Sequence, residues 1–489
     1  QKVYELNLTA EGLSFLLLRE INKVEDFVLT PSYTLFQPSL SYDSWSAEGK
    51  DSSALQTLHR AEHDRIYAKE VLRFINTINL NKVGSIFFWQ SCKAYLQFIT
   101  KDYNACLVQV NQLQKWAPDT TLATQLQIIK ALALTGRQPK GNAIIPTEVQ
   151  SIILANPKNG QFIFAIAKEL ENLGNATDAA LLYSRLTEMT YQEDTAYGRN
   201  TVYWRIAQNK GNTYSDYYTD YFDYIDAVYT PEQIQQFIED IRNNRDASNS
   251  FSVFKYEGVK DQLSRFYDLL GTKYIRQNKL ETALAAFEKA GKLYWNRAYT
   301  SWDDQTNVFD QNPFYTLKYT PKFIEAQDSI RLNKYTITKQ LIHYIHQAED
   351  ENEKDRDYYY FLVANAYYNM SHQGNATMMR RISPWSRYRL SAIEDEPEFR
   401  QSNLAKKYYL LARQYAQTEK FRALCLRMAA HCETQKMDYK NIGDWYDFDR
   451  QADLSANTYY SDLQANYPDY FDDLTSNCDR FQAYFESRR

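Results

Sequence analysis

Hydrophobic positions return along most of this chain every three to four residues, the interval of a helix with one buried face. EGLSFLLLREINKVEDFVL, Glu11 to Leu29, keeps that period until Thr30-Pro31 ends it. TPEQIQQFIEDIRNN, from Thr230, opens with a threonine cap, a proline at the first helical position and an acid in the first turn. KYTITKQLIHYIHQAEDE, from Lys334, reads as a further helix. The pattern predicts an all-α fold.

The helices also come in pairs. YDLLGTKYIRQNKLETALAAFEKAGKLYW, Tyr267 to Trp295, spaces Tyr267, Leu270, Gly271 and Tyr274, then Ala283, Phe287 and Ala290. Small residues stand at Gly271 and Ala283, where two antiparallel helices would approach closely. Large rings stand at Tyr274 and Phe287, where space between neighbours must be filled. Asn278 and Lys279 fall in the turn. The same arithmetic recurs at Ile163, Ile166, Ala167 and Leu170, followed by Ala179, Tyr183 and Leu186. Ala167 to Ala179 is twelve residues, as is Gly271 to Ala283. Ala456, Tyr460, Leu463 and Pro468 match a second helix with its closing proline, and a hairpin from Phe87 through Tyr103 closes at Pro118.

This spacing resembles the tetratricopeptide repeat (TPR), with Tyr267 in place of the usual first tryptophan. The resemblance implies a right-handed superhelical solenoid of helical hairpins, each burying its faces only by stacking on neighbours. The expected organisation is a helical segment over 1–80 with a long loop at 30–53, then TPR-like repeats over 81–298. An aromatic connecting loop over 299–333 follows, then further repeats over 334–489 with an insertion at 373–403. The three loops are too long for hairpin turns and rich in aromatics, so they are expected to be packed.

The insertion is where the repeat arithmetic fails. Tyr360, Val363, Ala364 and Tyr367 make a first repeat helix, and Ala376 lies twelve residues beyond Ala364. Arg380 then occupies the place of a large ring. A better second helix starts 29 residues after Ala376, at Ala405, with Tyr409 and Ala412 following. The interruption carries Arg380, Arg381, Trp385, Arg387, Tyr388 and Arg389, and arginine and aromatic residues dominate protein interfaces. These six are the candidate partner-binding residues. The competing reading is an insertion that packs on the chain's own groove.

Composition narrows the picture. Only 14 Gly and 12 Pro in 489 residues disfavour a turn-dense β fold. A net charge of −5 argues against a general nucleic-acid or anionic-membrane binder. The 41 tyrosines suit either packed helices or a glycan or peptide surface, and packing is the commoner use. No run of 18 apolar residues occurs. The chain begins QKVYELNL, so any signal or lipid anchor would lie upstream. Five cysteines, Cys92, Cys106, Cys425, Cys432 and Cys478, are too few for a disulfide framework and read as buried thiols.

Catalytic motifs are sparse. HRAEH, His59 to His63, matches an inverted zinc-protease pattern, with His59 and His63 as ligands and Glu62 as base. It has ordinary flanks and no clear third ligand. His343 and His346 share a helix without a converging carboxylate. Asp444, Asp447 and Asp449 cluster without the spacing of a calcium loop. Tyr214, Tyr217, Tyr221, Tyr224 and Val228 form a helical stripe read as core, with Asp216, Asp220, Asp223 and Asp226 on other faces. No cofactor or metal is predicted.

Three readings follow. The first is a non-enzymatic scaffold for protein–protein interaction in a cell-envelope, outer-membrane-associated assembly. YSDLQANYPDY, Tyr460 to Tyr470, resembles repeat endings of outer-membrane lipoprotein scaffolds of Gram-negative bacteria. The second is a glycan-binding surface protein similar to the SusD-like family. The third is a zinc hydrolase built on HxxEH. The first accounts for the most residues.

Overall fold

Gly271 shows why the chain folds in pairs. A Cβ built there would overlap the ring of Phe287, so the two helices meet where one lacks a side chain. Phe287 and Ala283 are fully buried, and Tyr267 and Tyr274 are 9% exposed. Asn278 turns the chain with φ +56°, in the left-handed region that asparagine tolerates. The Trp295 indole closes the unit by donating to the Phe287 carbonyl at 2.8 Å.

The computed structural model describes residues 2–10, 12–29, 54–188, 221–295, 309, 311–317, 324, 331–382, 394–441, 456–476 and 481–488. Among them there is no strand, and no helix is long and apolar enough to cross a membrane. The chain divides into two compact units, the second taking up the chain from Ser264.

The first unit contains α1 (Lys2–Leu6), α2 (Leu13–Val28), α3 (Ala54–Thr77), α4 (Ile86–Ile99), α5 (Tyr103–Leu113) and α6 (Thr120–Gly136). It continues with α7 (Thr147–Ala155), α8 (Gly160–Asn172), α9 (Ala176–Ser184), α10 (Tyr221–Val228), α11 (Pro231–Asn244) and α12 (Ser250–Tyr256). Packing follows chain order: α2 lies on α3 and α4, α4 on α5 and α6, α6 on α7 and α8, and α8 on α9. The starts are set by short polar side chains that accept the first free amides. Ser85, Asp102, Asp119, Asn159 and Asn175 do so for α4, α5, α6, α8 and α9. Thr230 and Gln233 form a reciprocal capping box on α11, with Pro231 behind the cap. Ala167 and Ala179 are both fully buried, as the twelve-residue spacing predicts.

The second unit contains α13 (Leu263–Arg276), α14 (Leu280–Ala290), α15 (Lys292–Trp295), α16 (Lys334–Glu349), α17 (Arg356–Asn369) and α18 (Glu396–Gln401). It ends with α19 (Asn403–Tyr415), α20 (Glu419–Asn441), α21 (Thr458–Asn466), α22 (Pro468–Thr475) and α23 (Phe481–Glu486). Here too order in sequence is order in space: α14 packs on α16, α16 on α17, α17 on α19 and α19 on α20. The partner of α17 is therefore α19, the second helix read from Ala405, Tyr409 and Ala412, and not a helix at Ala376 where the twelve-residue step falls. After α17 the chain makes a single 3-10 turn, Thr377–Met379, instead. Pro468 opens α22 at its first position, where the lost N–H costs nothing.

The described piece of the 299–333 loop is packed. Phe314 is fully buried, and Tyr315 and Leu317 are 4% exposed. The loop at 30–53 lies outside the described residues.

Replacing Gly271 with Ala is expected to lower unfolding free energy by about 1–3 kcal/mol through overpacking. Gly84→Ala, which meets nothing within 4 Å, should be near neutral. Shaving the ring with Phe287→Leu should recover part of the Gly271→Ala loss, all read by chemical denaturation.

Candidate functional site

Helix α13 carries Asp268, Thr272, Lys273 and Arg276, which return on one side of the helix about every turn. They sit between the ring and glycine positions of the repeat, and all four are buried. Asn333 caps α16 and so fixes its first residue, Lys334. The Lys334 ammonium donates to Asp268 Oδ1 at 2.8 Å, to Thr272 Oγ1 at 2.8 Å and to the Arg381 carbonyl at 3.1 Å.

The segment after α17 closes over this face. Arg276 Nε donates to the Arg380 carbonyl at 2.7 Å. Asp395 accepts from Arg380 Nε at 2.7 Å and from Arg381 Nη1 at 2.8 Å. Glu394 stands 3.3 Å from Lys273 and 3.4 Å from Arg276. The Arg381 guanidinium lies 3.7 Å from the centre of the Phe399 ring. Burial works against the charge on Asp395, but Arg380, Arg381 and Arg276 outweigh it and hold its carboxyl below the usual range. Burial pushes Glu396 and Glu398 up instead.

This geometry corrects part of the sequence reading. Arg380 and Arg381 were expected on a partner-binding surface, yet their side chains are only 3% exposed and bond inward. They bind Asp395, fourteen and fifteen residues away, and so pin both ends of the excursion to one unit. The sequence could not show this, because Asp395 looked like one more acid in EDEPE. Trp385, Arg387, Tyr388 and Arg389 lie outside the described residues.

A second polar cluster went unread. Helix α8 is buried on every side through its middle, yet that stretch includes Lys168 and Glu169. Glu169 Oε2 accepts from Tyr103 at 3.5 Å, and Glu171 Oε2 accepts from Tyr224 at 2.7 Å and Tyr183 at 3.2 Å. Burial draws Lys168 down to about 8, against the pull of Glu171 and Glu169. Burial raises both carboxyls. The sequence carried no signal for it, because Lys168 and Glu169 fall off the face of Ile163, Ile166, Ala167 and Leu170.

The third polar group is a relay across α17, α19 and α20. Ser402 donates to Gln435 at 2.7 Å, Gln435 donates to the Tyr368 hydroxyl at 3.0 Å, and that hydroxyl faces His431 Nε2 at 2.9 Å. The hydroxyl and the ring nitrogen share one hydrogen bond, whose direction follows the tautomer of the imidazole. Burial, helped by Arg427, lowers His431 to about 4.

The remaining candidates do not converge. The side chains of His59 and Glu62 on α3 are outside the described residues, and His63 is exposed. His343 and His346 are exposed on α16. Among the described residues no three His, Cys, Asp or Glu side chains are placed to hold a metal. Asp444, Asp447 and Asp449 lie outside the described residues, as do Tyr214, Tyr217, Asp216, Asp220 and Cys478. Tyr221 and Tyr224 are fully buried, as a core stripe requires. Asp226 is only 1% exposed, not on an open acidic face. Cys92, Cys106, Cys425 and Cys432 are free and buried. No family model, curated protein or solved structure matches this chain.

Asp395→Asn removes the anion that faces two buried guanidinium groups and is expected to cost about 3–5 kcal/mol. Arg400→Ala breaks a pair with Glu396 that is partly open to solvent, and should cost about 1 kcal/mol or less. Urea denaturation of both variants separates the two. His431 titrates near 6.5 when unfolded and about 4 when folded. The unfolded chain takes up the proton first, so the contribution of His431 to stability falls as pH drops from 6.5 towards 4. That loss, on the order of 3 kcal/mol, should shrink in His431→Gln, read as the difference between melts at the two ends of the window.

Proposed function

We propose that this chain is a non-enzymatic scaffold of TPR-like helical hairpins that binds another protein in a cell-envelope assembly. The observation that carries the reading is the pinned excursion between α17 and α19. Buried ion pairs from Arg380 and Arg381 to Asp395 fix its two ends on a helical framework. Between those ends the sequence holds Trp385, Arg387, Tyr388 and Arg389. Buried charge of this kind is costly and adds little net stability, so its use at the base of an excursion is economical as a positioning device. Residues of the types between the ends are those whose truncation costs most at protein interfaces.

The division of labour revises the six-residue candidate set. Arg380 and Arg381 act as anchors, and the four residues beyond them make the contact. The setting is the envelope of a Gram-negative bacterium, in association with the outer membrane. Support for it comes from the repeat ending at Tyr460 to Tyr470, which resembles those of outer-membrane lipoprotein scaffolds.

Replacing Trp385, Arg387, Tyr388 and Arg389 together by alanine should leave the thermal midpoint within about 2 °C. A protein recovered in stoichiometric amount with the wild-type chain, after mild cross-linking in the source cell, should be missing from the variant. Identical recovery by both chains, or nothing above background with either, would sink the reading.

A further inference from the structure

Helix α17 holds a piece of the chain the way a receptor holds a peptide. Residues 312–316 form one turn closed on itself. The Asn312 side chain accepts from the Phe314 amide at 2.9 Å, and its carbonyl accepts from the Thr316 amide at 3.0 Å. Such a turn keeps its shape with its own bonds, so little ordering is left to be lost on docking.

The hydrogen bonds on that turn run largely to its main chain, while the Phe314, Tyr315 and Leu317 side chains are buried. Asn365 Nδ2 donates to the Phe314 carbonyl at 2.8 Å. Asn369 Nδ2 donates to the Pro313 carbonyl at 2.7 Å and the Thr316 carbonyl at 2.8 Å. Asn375 Nδ2 adds a bond to the Thr316 carbonyl at 2.9 Å. The Asn365 donor is aimed in advance, since the Tyr409 hydroxyl donates to Asn365 Oδ1 at 2.6 Å. Side chains add to the hold, and Asn375 Nδ2 also donates to Gln311 Oε1 at 3.1 Å. Phe314 meets the Tyr344 ring edge-on at 5.0 Å, and the Tyr315 and Tyr344 hydroxyls are 2.6 Å apart.

The geometry points to a peptide-binding site on α16 and α17, with residues 311–317 as its exchangeable intramolecular ligand. Asparagine donors to main-chain carbonyls read a backbone shape, not a side-chain identity, so a second chain with the same turn satisfies them equally. The partner this site fits is a protein segment in an Asn-Pro-aromatic-aromatic turn, which displaces the chain's own copy. The inference deepens the scaffold reading and rests on it for a partner, but it uses none of the Trp385 set. Exchange at α17 can fail while those residues still recruit a protein, and the reverse.

The test is exchange on the full chain. Cleavage sites are placed within 301–308 and 318–323, the folded protein is cut, and a labelled peptide QNPFYTL is added. The cut protein should keep its cooperative melt and take up the peptide. Changing Asn312 and Phe314 of the peptide to alanine, or Asn369→Leu in the protein, should weaken uptake at least about tenfold. A folded cut protein that takes up no peptide overturns the proposal, as does unfolding when the segment leaves. Hydrogen exchange on the uncut chain reads the same point independently. The Phe314 and Thr316 amides should exchange through a local opening, faster than those of Val363 and Ala364. Exchange of all four only by global unfolding would show that the segment is core.

Discussion

A tyrosine driven into a protein interior takes its hydroxyl with it, and that hydroxyl must meet a partner. This requirement shapes the fold more than any single apolar contact. Tyr221 bonds the Ala180 carbonyl, Tyr256 bonds Asp240, Tyr294 bonds Asp268, Tyr367 bonds Asn278 and Tyr409 bonds Asn365. The bonds to Asp268 and Asn365 set a polar side chain in the interior of a helix, whereas Tyr221 uses the backbone of Ala180 and Tyr367 an exposed turn residue. Asp268 shows how the obligation spreads. It serves Tyr294 with one oxygen and Lys334 with the other, and Lys334 in turn holds the chain after α17 through the Arg381 carbonyl. The polar interior is thus a consequence of building helical hairpins with rings that carry hydroxyls.

What the sequence made legible was local and periodic. The twelve-residue step paired the helix of Gly271 with that of Ala283 and Phe287, and the second-helix pattern at Ala405, Tyr409 and Ala412 located α19 as the partner of α17 across the interruption. Helix starts were readable where the cap stood beside a proline, as at Thr230. Long-range ion pairs were not readable. Arg380 and Asp395 are fifteen residues apart and follow no helical period, so nothing in the local pattern links them. Lys168 and Glu169 were hidden for a different reason: charged residues on a helix are ordinarily at the surface, and only tertiary packing shows that α8 has no surface through its middle.

Buried polar groups serve two separate ends in the second unit. Around Asp395 they are ionised and fix where a segment begins and returns. Around Asn365 and Asn369 they are neutral amides, which lose less on leaving water than ions do. Ion pairs suit a permanent fastening, because parting them leaves a charge stranded. Amides suit a contact that opens and closes, because either partner can return to water at modest cost.

The free cysteines carry a further consequence. The thiolate is the form that oxidises and exchanges. Burial lifts Cys92 and Cys106 to about 12 and sets Cys425 and Cys432 higher than an ordinary thiol. At neutral pH a thiol titrating that high is ionised about once in 10⁵ molecules. The folded chain is therefore chemically quiet towards oxidants at these four positions, and none of the four needs a covalent bond to be made or broken when the redox poise of its surroundings changes.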